Sequence, residues 1–287
     1  MRIAHLSDLH VLDLAGVSWT RFVNKRLTGL VNLRGWRKDA HPTALAERLV
    51  KTLVDDPVDH VVVTGDLTNL ALESELAAAR RVLEPLGGYT KLSVVPGNHD
   101  VYTGGAERAR RFERYFGDWM WAPSEPQDYP WLKLIGTDER VALLGFGSAV
   151  ARLPLLAMGV VAKPQLARLR SLGSQLSGTF PIALVHHNLH ARGFRKDAMH
   201  GLTNRDAFLD TCRDVGVKLV LHGHTHVSHR FVRDGMDVIG SGSSTWSSTH
   251  PDHVARFNVY HVNGGRLSSV EVRRYDHESE RFSALAL

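Results

Sequence analysis

The feature that most constrains this chain is a repeated junction. A short apolar run passes directly into a cluster of polar, metal-competent side chains. It happens five times: "RIAHL" into "SDLH", "HVVV" into "TGDLTN", "KLSVV" into "PGNHD", "PIALV" into "HHNLH", and "KLVL" into "HGHTH". Short runs of apolar and β-branched residues, bounded by Gly, Pro and Asn, read as buried strands. In open α/β sheets the ligand crevice lies beyond the carboxyl ends of the strands. Five polar loops at five strand ends predict one convergent site.

Helical patterns lie between these strands. "HPTALAERLVKTLVDD" places Leu45, Leu49 and Leu53 on one face, with Pro42 near its start. "LESELAAARRVLEPL" reads as a helix ending at Gly87-Gly88, and further helices are expected near 163–172 and 204–215. "VALLGF" is a further strand. "RFVRDGMDVIGSGS" and "ARFNVYHVNGGRLSSVEVRRY" alternate in period two around Gly turns, as antiparallel strands do. The fold class is α/β, a β core with helices outside. No repeat or low-complexity linker divides the chain, so one domain over residues 1–287 is the economical reading.

Composition limits the setting. No apolar run is long enough to span a bilayer. The start, "MRIAHLSDLH", lacks the apolar core of a secretory signal. The single cysteine, Cys212, excludes an intrachain disulfide and reads as a small buried side chain of a helix. These features point to the cytoplasm. The net charge of +5 is local: residues 14–38 hold Arg21, Lys25, Arg26, Arg34, Arg37 and Lys38 and no acidic residue. Without those six, 29 of the 35 basic residues remain, against 30 acidic ones. A general basic surface for nucleic acid is not indicated.

The five loops offer Asp8, His10, Asp66, Asn98, His99, Asp100, His186, His187, His224 and His226. Carboxylate and imidazole together suit Mn²⁺, Fe²⁺ or Zn²⁺, and the lack of thiolates argues against a structural zinc site. Asp8 with His10, and His224 with His226, have the spacing that puts two side chains on one face of a strand end. Asp66, in a Gly-Asp turn, has two oxygens that can bridge two ions. Gly65, Gly97 and Gly223 precede ligand candidates and permit tight turns. In "LVHHNLH" the residues alone leave metal ligation, proton relay and a polar strand end open for His186, His187 and His190.

The ordered series "D8-L-H10", "G65-D66", "G97-N98-H99-D100", "H186-H187" and "H222-G223-H224-T225-H226" resembles the calcineurin-like metallophosphoesterase superfamily over residues 5 to about 228. Within it, the chain is similar to the class III cyclic nucleotide phosphodiesterases and their bacterial relatives. The resemblance implies a four-layer α/β/β/α sandwich and two divalent ions per chain. It implies a first ion held by Asp8, His10, Asp66 and His226, and a second by Asp66, Asn98, His186 and His224. A water or hydroxide between the ions would be the nucleophile. His99 would stabilise or protonate the leaving oxygen. Asp100 would orient a loop or ring, or stabilise a turn. His187 should point to the opposite face from His186, in a supporting role. His190 stays open between a substrate contact and a solvated loop residue. Asn188 stands where the superfamily often has Pro.

In the protein phosphatases of this superfamily the second block continues as G-D-x-x-D-R-G. Here it reads "GDLTNLA". Asn69 takes the second acidic position, and Leu70 replaces the Arg that would clamp a dianionic phosphate. That departure favours a monoanionic diester. Asn69 is expected to bond the phosphate or His99, or to cap the helix of "LALESELAAA".

The expected function is dinuclear-metal-dependent hydrolysis of a small phosphodiester or cyclic nucleotide. The alternative is a membrane-associated pyrophosphate hydrolase acting on a nucleotide-linked lipid such as UDP-diacylglucosamine. A third reading is a non-catalytic scaffold built on a relic metal site. Residues 14 to about 40 form a basic amphipathic insertion, with Trp19, Phe22, Val23, Leu27, Leu30 and Val31 at helical spacing around Gly29. It reads as a lid beside the site, a helix on an anionic membrane, or a dimer element.

Overall fold

The computed structural model describes residues 1–23, 25–27, 29 and 40–285, and these build two six-stranded sheets. The first has the order β12-β11-β10-β1-β2-β3, from β1 (Arg2–Leu6), β2 (His60–Val63), β3 (Leu92–Val94), β10 (Arg256–Asn263), β11 (Arg266–Asp276) and β12 (Arg281–Ala284). The second has the order β4-β5-β6-β7-β9-β8, from β4 (Trp131–Ile135), β5 (Val141–Gly145), β6 (Phe180–Leu184), β7 (Leu219–His222), β8 (Ser228–Arg233) and β9 (Met236–Ser241).

The apolar runs explain the layering. In β5, β6 and β7, Val141, Leu143, Ile182, Leu184, Leu219 and Leu221 join one core. The alternate residues Ala142, Leu144, Ala183 and Val220 join another, with Leu166, Leu169, Phe208 and Leu209 of two helices. A strand buried on both faces must be apolar throughout, and each such Leu or Val stabilises by about 1.5–3 kcal/mol. The helices beneath the second sheet are α5 (Lys163–Leu172) and α7 (Arg205–Asp214). On the first sheet, α1 (Thr43–Asp55) and α2 (Glu73–Leu83) bury Leu45, Leu49, Leu53, Leu76 and Leu83. The result is the α/β/β/α sandwich expected.

β1, β2 and β3 run parallel, as do β5, β6, β7 and β9. The carboxyl-terminal part pairs antiparallel, as its alternation predicts. β8 and β9 form a hairpin whose turn residues Asp234 and Gly235 both have positive φ, the requirement of a two-residue type I′ turn. α2 is followed by a 3-10 turn, Glu84–Leu86, closed by Gly87 at φ 109°. Sequence patterning does not reveal β4 or the short helices α3 (Gly104–Arg108), α4 (Arg111–Phe116) and α6 (Phe194–His200). Elements of five to seven residues are too short to show a period.

The insertion begins as a 3-10 turn, Trp19–Phe22, with helical backbone again at Arg26, Leu27 and Gly29. Leu30, Val31, Arg34, Arg37 and Lys38 lie outside the described residues. Phe22 is buried against Leu70, Ala71, Leu72, Tyr102 and Ala106. Arg26 is buried and donates to the carbonyls of Leu70 (Nε, 2.7 Å) and Ala71 (Nη2, 3.0 Å). The described part therefore lies against the body, beside the loop that follows β3. Among the described residues no helix is long and apolar enough to cross a membrane.

Candidate metal centre

Asp8/His10 and His224/His226 do not share strand faces as their spacing suggests. β1 ends at Leu6 and β7 at His222, so all four residues lie beyond the strands. They converge by another route. Asp8, His10, Asp66, His224 and His226 have φ of 54°, 48°, 53°, 74° and 58°. This left-handed region is sparse for residues with a side chain, although Asp and His enter it more readily than most. Such strain persists only where the surroundings over-determine it. Here the loops hold one another. Asp8 N donates to Gly65 O (3.0 Å), His10 N to Asp66 O (2.9 Å), and His224 N to the Asp8 carboxylate (3.1 and 3.2 Å). Gly65 adds a steric reason: a Cβ there would sit 2.5 Å from Gly97 N and 2.8 Å from His186 Nδ1.

The seven predicted ligands are brought together. Asp8, His10, Asp66 and His226 each present one donor atom within 4.8 Å of the others, and Asp66, His186 and His224 do the same. Asn98 Oδ1 lies 3.1 Å from His186 Nε2 and completes the second set. Asp66 is common to both. His186 Nδ1 donates to the Thr64 carbonyl at 2.7 Å, which turns Nε2 toward the donor set. That Nε2 is 3.4 Å from Asp66 Oδ2 and 3.2 Å from His224 Nδ1. His10 Nε2 is 3.0 Å from His226 Nε2.

Electrostatics agree with a cation site. Burial and neighbouring imidazoles hold His10 and His224 well below the usual histidine range, in the neutral form that ligates metals. Burial also opposes charge on His186, but Asp66 beside it raises its pKa to about 9. Burial works against the Asp66 charge too, yet His186, His99 and His10 hold its carboxyl well below the usual range. Ring nitrogens and carboxylate oxygens crowd two small volumes from several sides. The donor sets fit two divalent ions.

His99 is half-buried beside the Asp66 carboxylate. Its Nδ1 donates to the Asn69 carbonyl at 2.7 Å, and its ring stacks on Tyr102 with centroids 5.5 Å apart. Asn69 contributes differently from expectation. Its side chain donates to the His10 carbonyl, and only its backbone meets His99. Nor does it cap the following helix. α2 begins at Glu73, and the Glu75 carboxylate caps it by accepting from Leu70 N (2.9 Å) and Leu72 N (3.1 Å).

Asp100 is fully buried and accepts from Leu67 N, Thr68 N, Thr68 Oγ1 and Gly97 N. It fastens the Asp66 loop to the Asn98–His99 loop. His187 uses both ring nitrogens, with Ser148 Oγ at 2.8 Å and the Ala157 carbonyl at 3.0 Å, so it supports rather than ligates. His190 stacks on His229 at 3.8 Å and does not line the cleft.

A sixth loop, after β9, also belongs to the site. Ser243 Oγ donates to Asp8 O (2.9 Å) and Thr245 Oγ1 to Leu9 O (2.7 Å). Trp246 lines the cleft. The same rule that marks the other five, polar residues directly after a strand, also marks "SGSSTW". His41 is a second unanticipated neighbour. It presents a donor atom within 4.8 Å of those of His10 and His226, and its Nδ1 is 2.9 Å from Thr245 Oγ1.

Above the donor sets opens a cleft of about 670 Å³. Asp66, Asn98, His99, His224 and His226 face it from below, and Lys25, Tyr102, Leu155, Arg192 and Met199 form its walls.

The sandwich aligns with a dimetal phosphatase from Danio rerio, at TM-score 0.61 and 13% identity over 94% of each chain. It aligns with a purple acid phosphatase from yellow lupin (Lupinus luteus) seeds at TM-score 0.62 and 13% identity, over 99% of this chain and 52% of the lupin chain. At these identities the likeness concerns the fold. No curated relative matches the sequence. The calcineurin-like phosphoesterase profile matches residues 1–228, a span that ends just past the last candidate ligand, His226. The chain belongs to the calcineurin-like phosphoesterase family.

Proposed function

We propose that this chain is a phosphoester hydrolase that holds two divalent ions, of manganese, iron or zinc, and prefers small monoanionic phosphodiesters. The observation that carries this reading is the position of Asp66. One carboxylate joins two donor sets at the floor of a cleft, with His99 beside it.

Bound there, two divalent ions would polarise a phosphoryl oxygen and lower the pKa of a water molecule. The chain's own residues do the rest. His99 donates its Nδ1 proton to the Asn69 carbonyl, so Nε2 is the atom that exchanges a proton with the leaving oxygen. Tyr102 and Asn69 fix that ring. Asp100 holds the two loops in register, and His187 holds the 148–157 loop against His186.

Preference for a diester is supported at Leu70. It is buried in an apolar cluster with Phe22, Ala71, Leu72 and Tyr102. The guanidiniums of Arg26 and Arg111 donate to the carbonyls of Leu70 and Ala71. No guanidinium is thus contributed by position 70, and a monoanionic phosphate needs less positive charge than a dianion. A cytoplasmic setting forms part of this reading and rests on the lone buried thiol of Cys212.

The test is a comparison of bis(p-nitrophenyl) phosphate with p-nitrophenyl phosphate on Mn²⁺-loaded protein. The expected kcat/KM is higher for the diester by about tenfold or more. A monoester preference overturns the diester assignment, and inactivity on both at full metal content overturns the hydrolase. A second reading, hydrolysis of a nucleotide-linked lipid such as UDP-diacylglucosamine, is favoured by the exposed apolar side chains Leu155 and Met199 on the cleft wall. Cyclic AMP and UDP-diacylglucosamine, assayed in parallel, separate the two.

A further inference from the structure

We propose that the rim of the cleft docks on an anionic phospholipid bilayer, so that the cleft opens toward the membrane surface. This goes beyond the hydrolase reading and does not depend on it.

The exposed large apolar side chains are not scattered. Of the eleven among the described residues, seven lie on three segments that border the cleft: Trp19, Val23 and Leu27; Leu153 and Leu155; Phe194 and Met199. Each segment also carries residues that line the cleft: Lys25 and Gly29 in the first, Leu155 to Ala157 in the second, Arg192, Met199 and His200 in the third. The second and third segments are joined by a bond from Ala157 N to Met199 O (2.9 Å). Exposure reaches 89% at Phe194, 81% at Leu155 and 69% at Trp19. α6, which carries Phe194 and Met199, buries none of its seven residues. Apolar side chains gathered in this way on the surface mark an interaction site.

Charge identifies the occupant. Apart from Arg26, which is buried against the Leu70 and Ala71 carbonyls, residues 14–29, 149–158 and 191–200 contain Arg21, Lys25, Arg152, Arg192, Arg195 and Lys196, and a single acid, Asp197. That carboxylate accepts from Arg192 N (3.0 Å) and lies 3.8 Å from Arg205. A second copy of the chain seated here by a two-fold axis would bring like charges together, which opposes association. An anionic bilayer accepts both features at once. Its headgroups attract the cations, and Trp, Phe and Leu enter the headgroup boundary. The long Lys and Arg stems reach the headgroups while their neighbours insert.

The test is co-sedimentation of the metal-loaded full chain with vesicles of phosphatidylcholine alone, or with about 30% phosphatidylglycerol, at low and at about 0.5 M salt. The wild type is expected to partition to the anionic vesicles and to leave them at high salt. Two variants change different segments of the rim, at residues that do not line the cleft: Trp19→Asp with Val23→Asp, and Leu153→Asp with Phe194→Asp. All four residues are exposed, so the fold and metal content should be kept. Each pair is expected to lower partitioning about tenfold or more, with hydrolysis of a soluble diester unchanged. Wild-type protein that ignores anionic vesicles, or variants that bind as well as it does, overturn the proposal. A dimer in sedimentation velocity that these substitutions dissociate, without vesicle binding, also overturns it and makes the rim a subunit interface. None of these outcomes alters the kcat/KM comparison that tests the hydrolase.

Discussion

The backbone N–H of His99 donates to Oδ1 of Asp66 at 2.8 Å. The other oxygen of that carboxylate lies 3.8 Å from His10 Nε2 and 3.4 Å from His186 Nε2. One side chain thus joins both donor sets to the loop that carries the proposed acid. Asp66→Ala is therefore expected to bring bound metal below about one ion per chain, whereas Asp8→Ala, outside the second set, should leave about one. Elemental analysis of the purified variants decides. Equal losses from the two would refute the shared role.

His99 meets Asp66 through its backbone and the cleft through its ring. His99→Ala should therefore keep two ions while turnover falls by about two orders of magnitude or more. Paired measurement of metal content and kcat checks this. Loss of metal would mean that the ring, not the amide, supports the site.

Glu75 gives a pH signature. Burial raises its carboxyl from the ordinary range to about 8. Its Oε2 accepts from two amides, while Oε1 is buried without a partner. A carboxyl whose folded pKa is raised favours the fold most below its unfolded pKa, near 4.5, and that contribution is lost as pH rises through about 8. The loss has an upper bound on the order of 5 kcal/mol. Glu75→Gln mimics the protonated form and should flatten this slope. Urea unfolding of both proteins between pH 5 and pH 8.5, run at about half-unit steps, measures it. Parallel slopes would show that Glu75 titrates as an ordinary surface carboxylate.

Chelation should destabilise the fold. An ion present at about a hundred times its Kd adds about 2.7 kcal/mol per site, or several degrees in Tm for a chain of this size. Calorimetry before and after chelator, then with Mn²⁺ restored, should show the loss and its recovery. An unchanged Tm would argue against tight binding at either donor set.

Much of this arrangement is legible in the sequence, for local reasons. The five strand-end loops are visible because apolar runs and polar clusters adjoin in the chain, and α1 shows its 3.6-residue period in Leu45, Leu49 and Leu53. His41 is different. A lone histidine before a proline carries no pattern, and its place is set by Thr245, 204 positions away. The left-handed backbone at Asp8, His10 and Asp66 is equally hidden, because these residue types also populate ordinary regions. Asn69 misleads for a third reason. It precedes a helix closely enough to cap it, but Glu75 reaches the amides first. The exposed face of α6 cannot be read locally at all, since seven residues fix no orientation.

Each donor set takes members from both sheets. Asp8, His10, Asp66 and Asn98 follow strands of the first sheet, and His186, His224 and His226 follow strands of the second. Two cations seated there would rivet one sheet to the other. Once the sheets part, each half keeps an incomplete set of ligands and neither holds an ion well. Ion release and sheet separation then become a single event. The lifetime of the folded enzyme should track the slower cation to leave, not the fraying of any one strand.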